Sequence, residues 1–189
     1  MNDDLIRPGR VDDAEALAAL GRETFVDTFV DGFRIPYPQD DLSAYLEKSY
    51  SLANTREMLL DSTQAWWVAE RGGDILAFAN AGPCTLPHPE ARASHAELRR
   101  LYVAKRAQGS GLGTRLLDVA LAWMDAHTDG PLWIGVWSGN VKAQKLYAAY
   151  GFTKAGEYKY PIGSWLDDEF ILRRDATQRS PLDTHARNT

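Results

Sequence analysis

Apolar side chains recur every three or four positions in the first third of the chain, a period that is typical of helices. The pattern predicts helices at residues 12–28, 40–48 and 52–61. Asp12 or Asp13 is placed to accept hydrogen bonds from the first turn of the first helix. The segment 31–39 contains one glycine and two prolines, so we expect it to be a loop.

The period shortens to two from residue 65 onward, which is typical of strands. The pattern predicts strands at residues 5–7, 65–71, 75–81, 97–103, 132–137, 153–160 and 165–172. Gly72-Gly73-Asp74 favours a tight hairpin between the second and third strands, and Pro161-Ile162-Gly163 favours another between the last two.

The strand predicted at 97–103 carries charged and apolar residues in alternation. A regular strand would place two groups on opposite faces. The first group is Glu97, Arg99, Leu101 and Val103, and the second is Leu98, Arg100 and Tyr102.

Two further helices, at residues 111–126 and 140–150, alternate with the later strands, and Gly151 is placed to end the second. This order predicts an α/β protein with a mixed sheet of six to seven strands and four or five helices. We expect one domain over residues 1–174, followed by a polar tail at 175–189 that is partly disordered.

Composition and charge exclude several classes of function. The formal net charge of −5 argues against non-specific binding of nucleic acid, and no apolar run is long enough to span a membrane. The first residues are acidic and lead into no signal-peptide pattern, so we expect a cytoplasmic protein without membrane partners. Cys84 is the only cysteine, which excludes an intrachain disulfide and a cysteine-rich zinc site; we expect no metal.

A glycine-rich segment, Gln108-Gly109-Ser110-Gly111-Leu112-Gly113, lies between a predicted strand and a predicted helix. Backbone N–H groups at such a helix start can bind a phosphate. The spacing does not match the Walker loop or the dinucleotide fingerprint. A tight turn that binds no ligand is the alternative.

The loop fits the pattern [R/Q]-x-x-G-x-[G/A] on Gln108, Gly111 and Gly113, and a second block follows it. That block is Trp137-Ser138-Gly139-Asn140, Ala143, Leu146-Tyr147 and Gly151-Phe152. Together they resemble the acyl-CoA-binding segments of the GNAT family of N-acetyltransferases over about residues 97–153. A weaker resemblance, in residues 23–45, is to the branch that contains bacterial polyamine acetyltransferases.

The resemblance implies the acyl-CoA N-acyltransferase fold and acetyl-CoA as co-substrate, with no metal. It assigns cofactor binding to Leu101, Tyr102, Val103, Gln108, Gly109, Ser110, Gly111, Leu112, Gly113, Thr114, Asn140 and Ala143. The three strand residues would pair with the pantetheine arm through their backbone. Asn140 could alternatively do no more than cap its helix.

The resemblance also assigns two catalytic roles. Glu97 would be the general base that takes a proton from the acceptor amine, and Tyr147 the general acid that protonates the leaving thiolate. A surface glutamate paired with Arg99 or Arg100 and a core tyrosine are the alternatives. Glu70 and His95 are reserve bases, while Cys84 is expected to be a buried inert thiol rather than an acyl carrier.

These residues predict an enzyme that transfers an acetyl group to a primary amine of a small molecule or a protein, by direct attack in a ternary complex. A non-catalytic acyl-CoA sensor is the alternative. The acceptor pocket is expected to be acidic and aromatic, with a solvated acidic surface as the alternative, and the chain is expected to be a monomer or homodimer. Its candidate residues are Tyr37, Asp40, Asp41, Tyr45 and Trp66.

Overall fold

A mixed sheet runs through the computed structural model, which describes residues 4–176. Its seven strands within those residues are β1 (Leu5–Pro8), β2 (Ala65–Arg71), β3 (Asp74–Pro83), β4 (Ala96–Val103), β5 (Leu132–Trp137), β6 (Thr153–Ile162) and β7 (Trp165–Arg174). The strand order is β1-β2-β3-β4-β5-β7-β6, and only the β4–β5 pair is parallel. The mixed sheet predicted from the sequence is therefore confirmed.

Helices pack on both faces of this sheet. The α-helices within residues 4–176 are α1 (Ala14–Phe25), α2 (Gln39–Tyr50), α3 (Leu52–Leu60), α4 (Leu112–His127) and α5 (Val141–Ala149). Short 3-10 turns at Val11–Asp13 and Lys105–Ala107 precede α1 and α4. The largest core cluster lies between α1, the sheet and α4, with Leu17, Phe78 and Leu116 among its buried members.

The first predicted helix ends differently from the expectation. After α1 the chain continues as a π-helix over Val26–Gly32, so the helical path enters the segment that was expected to be a loop. The continued helical path keeps side chains four residues apart on one side of the helix. Here it sets Phe25 against Phe29 and Phe29 against Phe33, with ring centroids 4.8 and 6.1 Å apart. Phe33 then packs on Trp137 at 4.5 Å, which ties the π-helix to β5.

Strands β4 and β5 pair over only three positions, from Ala96↔Leu132 to Leu98↔Ile134. Beyond them the two strands separate, so the edge of β4 that faces β5 is unpaired from Arg99 to Val103. The opening between these strands is the central feature of the candidate site.

A β-bulge in β4 corrects the predicted faces of this strand. Ala81 of β3 pairs with Leu98 and Asn80 pairs with Arg100, so Arg99 has no partner across the β3–β4 ladder. Directly paired residues share a face. Glu97 therefore lies on the face of Arg100 and Tyr102 rather than that of Leu101 and Val103. The prediction assumed regular alternation along the strand and therefore did not include the bulge residue Arg99.

The end of the sheet extends further than the pattern predicted, because β7 includes Arg173 and Arg174. Arg174 is buried and donates to Asp125 of α4 at 2.7 Å. Of the predicted tail, only residues 175–176 belong to the described part of the chain. Within residues 4–176, no helix has the length and apolar character needed to cross a membrane.

Candidate active site

Two cavities meet at the opening between β4 and β5. The sheet-face cavity, about 520 Å³, lies over the sheet face that carries Glu97, and the glycine-loop cavity, about 830 Å³, extends to residues 107–114. Their linings share Phe29, Leu101, Tyr102, Asn140, Ala143 and Tyr147. Two molecules bound in the two cavities would therefore meet beside these shared residues.

The glycine loop has a backbone that only glycine adopts without strain. Gly109 and Gly111 have φ of +81° and +82°, and nothing lies within 4 Å of a Cβ built on either. Gly113 lies instead against Val103, whose Cγ2 would be 3.4 Å from an added Cβ. Ser110 turns away from the cavity, and its Oγ donates to the carbonyl of Ala107 at 2.6 Å.

The N–H groups of the loop are available for a ligand. Arg115 is the first residue of α4 whose N–H reaches a preceding carbonyl, that of Gly111 at 3.1 Å. The N–H groups of 109–114 have no acceptor among residues 4–176. Together with the positive end of the α4 dipole they can bind an anion. Gln108, Leu112 and Thr114 line the same cavity, and their binding of a cofactor stays a prediction.

The backbone of β4 points alternately toward and away from the opening. Ala104 donates its N–H to Leu76 of β3 at 2.8 Å. Because alternate residues point their backbone groups to opposite edges, those of Leu101 and Val103 face the opening. Those of Tyr102 face β3, so the prediction of backbone binding to a ligand is wrong for this residue. Its side chain instead lines both cavities.

Helix α5 carries three predicted site residues along the opening. Asn140 is its N-cap and accepts from the N–H of Ala143 at 3.1 Å, so the capping role is present in the structure. Asn140, Ala143 and Tyr147 all line both cavities. The small side chain of Ala143 leaves space where a larger one would narrow the junction.

Tyr147 is 8% exposed and belongs to the largest core cluster. This agrees with the alternative interpretation, in which it is a core tyrosine. Its hydroxyl nevertheless has no hydrogen-bond partner among residues 4–176, and the side chain lines both cavities. Burial, with a smaller effect of Tyr102, raises the pKa of Tyr147 above its ordinary value. A tyrosine of raised pKa stays protonated and can donate a proton.

Glu97 is 7% exposed and lines the sheet-face cavity, so it is not a surface glutamate. Its Oε2 accepts from the N–H of Thr85 at 2.7 Å and from the hydroxyl of Thr85 at 3.0 Å. Neither Arg99 nor Arg100 forms an ion pair with it. Burial raises the pKa of Glu97, while the bonds from Thr85 act in the opposite direction. A raised pKa makes a carboxylate a better base.

The reserve candidates lie outside both cavities. Glu70 forms an ion pair with Arg7 at 2.8 Å, between β2 and β1 at one edge of the sheet, away from the opening between β4 and β5. His95 accepts at Nδ1 from the indole N–H of Trp133 at 3.1 Å. Cys84 is buried, and burial raises the pKa of its thiol to about 11, which disfavours a nucleophilic thiolate.

The acidic character predicted for the acceptor pocket comes from other residues than those expected. Of the expected residues, Tyr45 lines the sheet-face cavity, whereas Asp40, Asp41 and Trp66 do not. Asp41 instead accepts from the N–H of Ser164 at 2.9 Å in the β6–β7 turn. Tyr37 reaches the site indirectly, since its hydroxyl donates to Asp167 at 2.6 Å.

Asp167 and Glu169 of β7 are functional candidates that sequence reasoning missed. Both line the sheet-face cavity. Burial, and then the charge of Asp167, raise the pKa of Glu169 to about 8. Glu169 has no hydrogen bond or ion pair among residues 4–176. The alternation of β7 is visible in the sequence. However, no local sequence pattern indicates which face of the β6–β7 hairpin covers the site.

Comparisons with known proteins agree with this geometry. The family described as the acetyltransferase (GNAT) family matches residues 23–152, more than half of the 189-residue chain. The chain belongs to the GNAT family. It is thus an acyltransferase, and its sheet has the acyl-CoA N-acyltransferase fold that the resemblance implied.

Individual GNAT relatives are distant. An uncharacterized N-acetyltransferase of Lactobacillus delbrueckii subsp. lactis, from the pepI 3′ region, is 25% identical over 86% of this chain and 91% of its own length. N-acetyltransferase 8 of Rattus norvegicus is 32% identical over 62% of this chain and 52% of that protein. The PaiA N-acetyltransferase of Thermoplasma acidophilum, solved with coenzyme A, has a TM-score of 0.71 at 19% identity over 92% of this chain and 99% of its own, and shows the fold alone. The resemblance to the polyamine branch stays a prediction.

Proposed function

We propose that this GNAT protein is an acetyl-CoA-dependent N-acetyltransferase that transfers an acetyl group to a primary amine in a ternary complex. The observation that carries the proposal is the meeting of two cavities at Tyr147. One cavity has anion-binding N–H groups, and the other contains buried carboxyl groups. A donor with phosphates and an acceptor with an amine match these two environments.

The glycine-loop cavity fits coenzyme A in three respects. The N–H groups of 109–114 suit its pyrophosphate, and Lys105 and Lys142 add positive charge to the lining. The backbone groups of Leu101 and Val103 suit the amides of a pantetheine arm, which would pair with β4 as an added strand. When bound, acetyl-CoA supplies the activated acyl group.

Glu97 and Tyr147 divide the proton transfers. The acceptor arrives as an ammonium, and Glu97 takes a proton from it, directly or through a water molecule. Tyr147 donates its proton to the leaving sulfur, and the phenolate regains one from the nitrogen, which gives up its second proton as the amide forms; Glu97 releases its own proton to solvent. Both residues line the sheet-face cavity, and Tyr147 also lines the other.

Direct transfer is favoured over a covalent acyl-enzyme. Cys84 is buried with a raised pKa, and it lines neither cavity. The acyl group therefore has no nucleophilic cysteine on its path. The cytoplasmic location and the choice between monomer and homodimer stay predictions.

The test measures the release of the CoA thiol with a panel of amines, for the wild type and Glu97→Gln. We expect release with at least one amine, and a loss of about 10²–10⁴-fold in kcat for Glu97→Gln, because the base is removed. Isothermal titration with CoA should give similar affinities for both, since Glu97 does not line the glycine-loop cavity.

Two results would contradict the proposal in different ways. Binding of CoA without thiol release from any amine would indicate a sensor. A pH–rate profile of Glu97→Gln that kept the wild-type rate and its rising limb would remove Glu97 from the role of base.

A further inference from the structure

Arg100 is a partly buried cation on the wall of the sheet-face cavity. It lies on β4, on the same face as Glu97 and Tyr102. No carboxylate is within ion-pair distance of its guanidinium among residues 4–176. Its Nε and Nη1 have no acceptor among residues 4–176 and are not fully enclosed by the protein, so they are open to an anionic group in the cavity.

The guanidinium of Arg100 lies against two aromatic rings, and most of its N–H donors have no acceptor among residues 4–176. The guanidinium lies 5.0 Å from the ring centre of Tyr50 and 6.0 Å from that of Trp66. Its single hydrogen bond to residues 4–176 is a long one, 3.3 Å from Nη2 to the carbonyl of Ser49. A guanidinium has five N–H donors. The contact with Ser49, near the end of α2, therefore accounts for only one of them.

The adjacent Arg99 is held more firmly by the protein than Arg100 is. Its Nη2 donates to the carbonyl of Pro83 at 2.6 Å, and its side chain packs beside Gly82. Arg99 is the bulge residue and its side chain also lines the sheet-face cavity, but its Nε is buried and has no acceptor among residues 4–176. The two arginines thus differ in their contacts although they are neighbours in the chain.

Arg100 does not belong to the anion site of the glycine loop. It is absent from the lining of the glycine-loop cavity, whereas Glu97 and Arg100 both line the sheet-face cavity. Glu97 is already bound by Thr85 and does not neutralise Arg100. The guanidinium of Arg100 can thus contact a ligand in the sheet-face cavity. It lies three residues along β4 from Glu97, the carboxylate that we assign to the acceptor amine.

We propose that Arg100 binds a carboxylate of the acceptor, so that the acceptor is a free amino acid rather than a simple amine or a polyamine. This inference rests on the proposed function. The amine of the acceptor would face Glu97 and Tyr147, and its carboxylate Arg100. The side chain would extend toward Tyr158, Tyr160 and Glu169, which line the remaining wall.

The experiment compares acceptors that differ only in the carboxylate. L-leucine is paired with isopentylamine, and L-lysine with cadaverine, each tested with acetyl-CoA for kcat/KM. Wild-type protein should prefer the amino acid of a pair by about 10–100-fold, the size expected for a charge-assisted hydrogen bond. Arg100→Gln should reduce this ratio to near one, mainly through KM, and Arg100→Lys should keep part of it.

Arg99→Gln is the matched control, because it removes the same charge from the neighbouring residue of the same cavity wall, where the guanidinium is held by the carbonyl of Pro83. It should retain the preference of the wild type. Equal loss in both variants would indicate a general effect of charge and would overturn the specific role of Arg100. A wild type that uses cadaverine or isopentylamine as well as the amino acid would overturn the proposal directly.

A binding measurement separates this proposal from the proposed function. CoA-saturated wild type and Arg100→Gln are titrated with the same pairs by calorimetry. Tighter binding of an amino acid that depends on Arg100 supports the inference even where no thiol is released. Thiol release without any effect of the carboxylate supports the acetyltransferase function but contradicts the amino-acid acceptor.

Discussion

Thr85 donates two hydrogen bonds to a single carboxylate oxygen of Glu97, from its N–H at 2.7 Å and its hydroxyl at 3.0 Å. The residues are twelve positions apart, and the connector before β4 brings them together. Both bonds favour the ionised carboxylate and lower the pKa of Glu97, against the larger effect of burial.

Thr85→Val should therefore move the rising limb of the pH–rate profile to higher pH, because the hydroxyl bond to the carboxylate is lost and the pKa of Glu97 rises. Thr85→Ser keeps the hydroxyl and should retain the wild-type limb. The measurement is kcat/KM for thiol release between pH 5 and 10. A profile of Thr85→Val that coincides with that of Thr85→Ser would indicate that Glu97 does not control the rate.

Tyr147→Phe should lower kcat by about 10²-fold while the Kd for CoA stays near that of the wild type. The hydroxyl has no partner among residues 4–176, so its removal leaves no buried group unpaired, and the free energy of unfolding should change by less than about 0.5 kcal/mol. Tyr150→Phe is the control, since its hydroxyl bonds to Asp118 at 2.6 Å and the residue lines neither cavity. An equal loss of kcat in both variants would contradict the role of Tyr147 as acid.

Gly111→Ala should reduce both stability and CoA affinity. A left-handed φ costs a side-chain-bearing residue about 1–2 kcal/mol, and relief of that strain would displace the loop N–H groups. Gly73→Ala is a matched control, because Gly73 also has positive φ and open space around an added Cβ, but lies in the β2–β3 turn. Both variants should lower Tm by a few degrees, whereas only Gly111→Ala should weaken CoA binding, by about tenfold. Unchanged CoA affinity in Gly111→Ala would argue against the loop as the pyrophosphate site.

Glu169 should make the stability of the protein depend on pH. Burial and Asp167 raise its pKa to about 8 in the folded state, against about 4.3 in the unfolded chain. Between these values the unfolded chain has lost a proton that the folded protein retains, so the contribution of Glu169 is present at low pH and lost as pH rises toward 8. The free energy of unfolding of wild type should fall relative to Glu169→Gln between pH 5 and 8. Parallel denaturation curves over that range would show that the pKa of Glu169 is not raised.

The local patterns were sufficient for most elements of the fold. The alternation of β2 and β3 and the two glycines between them predicted the hairpin, where Gly72 and Gly73 have φ of +60° and +93°. The π-helix at Val26–Gly32 was not predictable in this way, because it depends on how Phe29 and Phe33 pack against distant Trp137. The same holds for the bulge at Arg99, which reversed the predicted face of Glu97.

The features of the candidate site can also be divided into those that the sequence predicts and those that only the structure shows. The sequence by itself determined the glycine loop, the helix cap at Asn140 and the identity of Tyr147 as a candidate, because each depends on residues close together in the chain. Only the tertiary structure decided that β4 and β5 separate after Leu98, that Glu97 is buried against Thr85, and that Glu169 joins the cavity. It also decided that Arg99 is held by the carbonyl of Pro83 at 2.6 Å, whereas Arg100 has, within residues 4–176, a single long hydrogen bond to the carbonyl of Ser49. Strand register, burial and the lack of a counterion near Arg100 in the described part of the chain depend on how distant segments pack together. A local sequence pattern therefore cannot predict them.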